Sequence, residues 1–167
     1  DTVLFDPNLD LAVLRVDAPL GPALSLANED AVRGTVGAVL GYPEGGPLVA
    51  SGAAVRQPIL AVGHDIYGRD DIQRNVYELQ VEVHAGNSGG PFVLPDGTVA
   101  GVVFAASSVD PEVGYAIRAS EIRFYCSTAT PDFAIGATPE SRTVVAGEST
   151  DYTVALTALN RFQSPVT

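Results

Sequence analysis

Val76-Tyr77-Glu78-Leu79-Gln80-Val81-Glu82-Val83 alternates apolar and polar residues from Tyr77 onward. A strand has a side-chain period of two, so this stretch buries one face and wets the other. A glycine-rich hexapeptide, Gly86-Asn87-Ser88-Gly89-Gly90-Pro91, separates it from a second apolar run, Phe92-Val93-Leu94. Pro95-Asp96-Gly97 follows, then Thr98 to Phe104, and Asp-Gly between two apolar runs predicts a hairpin. Upstream, strands are expected at Thr2–Phe5, Asp10–Val16, Thr35–Leu40 and Leu48–Val55, with a long polar loop at Gly63–Asn75. Downstream, Gly114–Ile117 reads as a strand and Ala119–Tyr125 as a short helix. Short strands with turn signals every ten residues or so predict an all-β barrel or sandwich.

The bulk composition fits a packed domain. Of the 167 residues 46% are hydrophobic and only 17% charged, which places the chain among globular sequences. No apolar run approaches the roughly 18 residues that span a bilayer. The net charge is −11 and lysine is absent, which argues against nucleic acid or an anionic membrane surface as a partner. Cys126 is the single cysteine, so it cannot close a disulfide within these residues. The acidic pair Asp70-Asp71 supplies too few oxygens for calcium, and no metal or other cofactor is expected.

The chemistry concentrates at the hexapeptide. Glycines around Ser88 let the backbone turn tightly and expose the hydroxyl. The same turn can aim the N–H groups of Gly86 and Ser88 at one point, where the negative oxygen of a tetrahedral intermediate would sit. A serine hydroxyl becomes a nucleophile only when a histidine takes its proton, and that histidine needs an acid to hold its tautomer. Asp10 is the natural acid; Asp6 is its rival, although a place before Pro7 suits turn capping better. His64 and His84 both follow Asp10 and read as surface or loop residues. Glu82 falls on the wet face of its alternating strand.

Gly-x-Ser-Gly-Gly-Pro resembles the nucleophile loop of trypsin-like serine peptidases. The resemblance extends along the chain in order. Asp10-Leu-Ala-Val-Leu, Leu40-Gly41-Tyr42-Pro43, Asp65-Ile66-Tyr67-Gly68, the hexapeptide and Gly101-Val-Val-Phe104-Ala-Ala are similar to the MarP-type periplasmic peptidases and the broader HtrA-like group. That resemblance spans roughly residues 1–122. It implies a chymotrypsin-like double β-barrel, with residues 1–28 the end of the first barrel and 29–126 the second. It also implies Ser88 as nucleophile, Asp10 as acid, and the Gly86 and Ser88 amides as the oxyanion hole. The strand after the nucleophile loop then lines the substrate pocket with Phe104, Ala105 and Ala106, with Tyr115 opposite, which favours a small-to-medium apolar residue.

Three departures from the family pattern shape the expectation. The base must precede Asp10 in the His, Asp, Ser order of this family, and no histidine does. The chain therefore reads as an excerpt, expected inactive alone, of an extracytoplasmic serine endopeptidase acting on peptides or proteins. Asn87 cannot form the ion pair with a freed amino terminus that an aspartate makes there in many relatives. The tail is a third departure: after a polar linker at 127–131, residues 132–167 resemble the first strands of a bacterial immunoglobulin-like module, or else form a β-rich extension packed on the barrel. Cys126 could bridge to a cysteine upstream of Asp1. Unpaired strand edges would make the isolated piece prone to aggregation. The competing function is a non-catalytic, protease-like binding or adhesion module joined to the immunoglobulin-like domain. The sequence is silent on oligomeric state.

Overall fold

The computed structural model describes residues 2–16, 22–69, 72–128, 133–138 and 153–158. The described residues are all-β apart from one α-helix and a single 3-10 turn at Pro43–Gly45, and every pairing between their strands is antiparallel. A hairpin of β1 (Thr2–Asp6) and β2 (Leu11–Leu14) comes first. Six strands then close a barrel: β3 (Val36–Gly41), β4 (Val49–Gly63), β5 (Ile72–Gln80), β6 (Pro91–Val93), β7 (Val99–Ala106) and β8 (Val113–Arg118). Their order around the ring is β3-β4-β5-β8-β7-β6. Helix α1 (Ala119–Thr128) follows, one turn longer than its sequence signal. Closure leaves no free edge on the barrel, so the unpaired edges expected of an isolated piece are confined, among the described residues, to the flanking hairpins.

The strands sit where alternation and turn residues place them, with one substantial difference. The polar segment 63–75 is not all loop: β4 runs on to Gly63 and β5 starts at Ile72, paired Gly63 with Ile72 and Leu60 with Asn75. Backbone pairing, not side-chain burial, sustains this extension, and Leu60 and Val62 remain exposed on it. Arg56 is an extra residue on β4, Ala100 on β7 opposite β6, and Phe104 on β7 opposite β8; each bulge shifts the register by one.

Val39, Val55, Tyr77, Leu79, Phe92, Val103 and Ala116 fill the main core. Tyr77 meets Phe92 edge to face, with centroids 6.4 Å apart. Its hydroxyl accepts the N–H of Ala31 at 2.8 Å and donates to Asp30, tying the segment before β3 to the barrel. A second cluster, Leu9, Leu11, Ile117 and Ile122, joins the amino-terminal hairpin to β8 and α1, with Val102, Phe104 and Tyr125 packed against it. Burying each such aliphatic side chain contributes about 1.5–3 kcal/mol.

The tail is described only at β9 (Phe133–Thr138) and β10 (Thr153–Ala158), which pair antiparallel. The rest of the predicted immunoglobulin-like module, most of the linker and the side chain of Cys126 lie outside the described residues.

Candidate active site

Ser88 sits in a loop between β5 and β6 that is fastened on two sides. On one side Tyr42 N–H donates to Gly86 O at 3.2 Å, and Glu44 N–H donates to Ala85 O at 2.7 Å. On the other, Gly89 N–H donates to Val103 O at 2.8 Å, and Val103 N–H donates to Gly90 O at 2.9 Å. Within the loop, Asn87 N–H donates to His84 O and Gly90 N–H to Asn87 O. Gly86 adopts φ +95°, and a Cβ there would overlap Tyr42 O; a Cβ on Gly90 would overlap Leu40 O. Both positions thus require glycine, one for its dihedral and both for close approach.

This bracing leaves the chemical groups free. Ser88 is exposed, and its hydroxyl makes no hydrogen bond among the described residues. Neither the Gly86 N–H nor the Ser88 N–H has a partner among them. Asn87 between them is buried, and its Oδ1 is the one buried side-chain oxygen without a partner among the described residues.

Asp10 does not open β2 as its sequence context predicts. It ends the turn before that strand, exposed and in the left-handed region at φ 57°. That conformation costs a residue with a Cβ roughly 1–2 kcal/mol, so neighbours must hold it. Asp6 supplies part of the hold: its Oδ1 accepts the N–H groups of Asn8 at 2.8 Å and Leu9 at 3.1 Å, which is the turn-capping role expected of it. Its Oδ2 accepts the Tyr125 hydroxyl at 2.5 Å. Arg74, buried, donates through Nε to Asn8 O at 2.5 Å and through Nη2 to His64 O at 3.0 Å.

β7 connects the two halves of this region. Leu9 and Leu11, on either side of Asp10, pack in the cluster that holds Val102 and Phe104, while Val103 between them bonds the Ser88 loop. Phe104, expected to line the pocket, directs its ring into this cluster with the Arg74 guanidinium 5.6 Å from its centroid. The bulge at Phe104 re-aims the strand there. Ala105 and Tyr115 pair across β7 and β8, both partly buried, and Ala106 is exposed.

Among the described residues no hydrogen bond joins either histidine to the Ser88 hydroxyl. His84 pairs with Glu82 at 3.4 Å, both exposed. His64 is exposed at the end of β4. Next to it, burial pushes the Asp65 carboxyl up, but hydrogen bonds from the Arg69 backbone and side chain and from Tyr67 N–H outweigh this and hold it below its ordinary 3.8. Burial first, then the hydrogen bond to Asp6, pushes the Tyr125 phenol up to about 12. Sequence reasoning missed Arg74 and Tyr125. Their partners lie 66 and 119 positions away, and no local pattern signals a contact at that range.

Known proteins share this fold. A family model described as a trypsin-like peptidase domain matches residues 1–102. Serine protease Rv3671c of Mycobacterium tuberculosis (strain ATCC 25618 / H37Rv) is 41% identical over 121 residues, which is 72% of this chain and 30% of that protein. Its active-form crystal structure superimposes with a TM-score of 0.74 at 39% identity, covering 77% of this chain and 57% of the solved one. The HtrA-type protease AlgW, solved with a decapeptide, gives a TM-score of 0.61 at 25% identity over 96% of this chain and 52% of its own. The chain thus spans under a third of the curated relative's length, and the expected kinship with the MarP-type and HtrA-like peptidases is borne out. With well over half its residues matched by the family model and its barrel shared with solved members, the chain belongs to the trypsin-like peptidase family.

Proposed function

We propose that the protein is a serine endopeptidase that cleaves peptide bonds through an acyl-enzyme on Ser88. One observation carries this reading: in a loop braced on both sides, an exposed hydroxyl stands beside two N–H groups that have no partner among the described residues. As Ser88 Oγ attacks the carbonyl carbon, a histidine takes its proton and Asp10 holds that histidine's tautomer. The Gly86 and Ser88 N–H groups receive the negative oxygen. Collapse expels the amine, which leaves with the proton, and water then hydrolyses the ester by the same steps. Both histidines follow Asp10, so in the family's order the base belongs to residues outside these 167. The chain alone is then expected to show only residual turnover.

The small side chains of Ala105 and Ala106, with Tyr115 opposite, suit a peptide or protein substrate with a small-to-medium apolar residue before the scissile bond. Phe104 contributes to that pocket through the backbone it fixes, since its ring is held under Arg74. Kinship with periplasmic peptidases supports an extracytoplasmic setting. Treating the full-length protein with a fluorophosphonate and mapping the adduct tests the reading: label at Ser88, abolished by Ser88→Ala, is expected. A folded protein that takes no label would overturn it in favour of a non-catalytic binding module.

A further inference from the structure

We propose that Tyr125 is a positioning residue for Asp10, acting through Asp6 and the turn between them; this rests on Asp10 being the acid. The connection is continuous. The Tyr125 hydroxyl donates to Asp6 Oδ2 at 2.5 Å, and the other oxygen of the same carboxylate accepts the N–H groups of Asn8 and Leu9. Those two amides build the turn whose last residue is Asp10, held left-handed at φ 57°. A carboxylate that binds only its own turn can swing with it. One that is also bonded to a neighbouring element fixes the turn in space.

Tyr125 is suited to this. It lies on α1, its ring meets Phe124 edge to face with centroids 5.4 Å apart, and it packs against the Leu9 and Leu11 cluster. The ring therefore has an apolar seat independent of the hydroxyl. Asp10 itself makes no hydrogen bond among the described residues, so nothing there but the turn sets its direction. Arg74 holds the turn from the barrel side through Asn8 O, and Ile66 N–H reaches Pro7 O at 3.4 Å, but neither touches the Asp6 carboxylate. Tyr125 alone among the described side chains bonds Asp6, and it ties the acid's turn to the carboxy-terminal helix.

The test is a double-mutant cycle in the full-length protein, read as kcat and KM on a peptide substrate. Tyr125→Phe keeps the ring and removes the hydroxyl. It is expected to lower kcat about tenfold at unchanged KM, the effect of one charge-assisted hydrogen bond expressed in the transition state. With Asp10→Asn already present, Tyr125→Phe is expected to cost nothing further, because the group it positions no longer functions. An equal loss in both backgrounds, or none in the first, would overturn the inference while leaving Asp10 as the acid. If Asp10→Asn itself left kcat intact, the assignment of Asp10 would fall, and Tyr125 with it. A second readout needs no turnover: absorbance titration of the phenol in Asp6→Asn should show Tyr125 ionising at lower pH than in the unaltered protein. An unchanged titration would show that the hydrogen bond is not formed in solution.

Discussion

Gly86→Ala and Gly89→Ala make a matched pair, because both residues have positive φ but only one is enclosed. Gly89 lies at φ +81° with nothing within 4 Å of where a Cβ would stand, so alanine there meets the left-handed penalty alone, about 1 kcal/mol. At Gly86 the same penalty applies, and the Cβ also collides with Tyr42 O. Relief requires the 42–44 turn to withdraw, which breaks the Tyr42-to-Gly86 and Glu44-to-Ala85 hydrogen bonds at about 1 kcal/mol each. Gly86→Ala should therefore destabilise by about 3 kcal/mol in urea unfolding followed by circular dichroism, roughly three times the cost at Gly89. Alanine keeps the N–H of residue 86, but the same withdrawal turns it out of place; if that N–H serves the proposed oxyanion hole, fluorophosphonate labelling of the full-length protein should slow by up to about 100-fold, the usual cost of losing such a donor. Equal destabilisation by the two substitutions would refute the reasoning, since the Tyr42 contact would then constrain nothing.

Three further outcomes follow from the packing. Arg74→Met should leave the barrel folded but loosen the hairpin, because Asn8 O and His64 O lose their donor; faster amide exchange confined to residues 2–16 and 64–69 is expected, and unchanged protection there would contradict it. Tyr77→Phe strands the buried Ala31 N–H and should cost about 1–3 kcal/mol in unfolding free energy. In the unaltered protein, burial and then the neighbouring Asp30 push the Tyr77 phenol up to about 12, so its contribution is complete below pH 10 and is lost as pH rises towards 12, visible as an alkaline loss of stability that Tyr77→Phe reduces, the remainder coming from groups such as Tyr125. Asp65 is depressed, so it has the opposite sign: its contribution is complete above pH 3.8 and is lost as pH falls through its lower folded value. Exchange at the Tyr67 and Arg69 amides should then accelerate only in strong acid, and Asp65→Asn should remove that dependence.

Much of this architecture can be read from single residues. Tyr77 to Gln80 alternates because one face of β5 enters the main core, although Val76 on the other face is buried as well, and Asp96-Gly97 turns the chain where β6 meets β7. The glycines about Ser88 are legible for the same reason: two of them touch backbone that no side chain could approach. What is hidden depends on distant contacts. The start of β5, Ile72-Gln73-Arg74-Asn75, is polar and is fixed by its pairing with β4, so its sequence resembles that of a loop. Asp10 is legible as a residue but not as a conformation, since its dihedral follows from Asp6 and the elements gripping it. Phe104 reads as pocket because of its place after the nucleophile loop; the bulge there and the seat of its ring near Arg74 leave no trace in the sequence.

Closing the barrel makes strand register a property of the whole ring. In an open sheet a one-residue slip dies out at the nearest edge, but in a closed one the offsets accumulated around the circuit must match a fixed shear. The extra residues Arg56, Ala100 and Phe104 are part of that total. Deleting Arg56 would consequently not be a local event on β4, because the mismatch must reappear at some other seam, and the β7 seams adjoin the Ser88 loop. Descendants of this sequence should accept substitutions at the bulges far more readily than single-residue insertions or deletions within the strands. Length variation should collect instead at the β4–β5 hairpin tip, beyond the circuit.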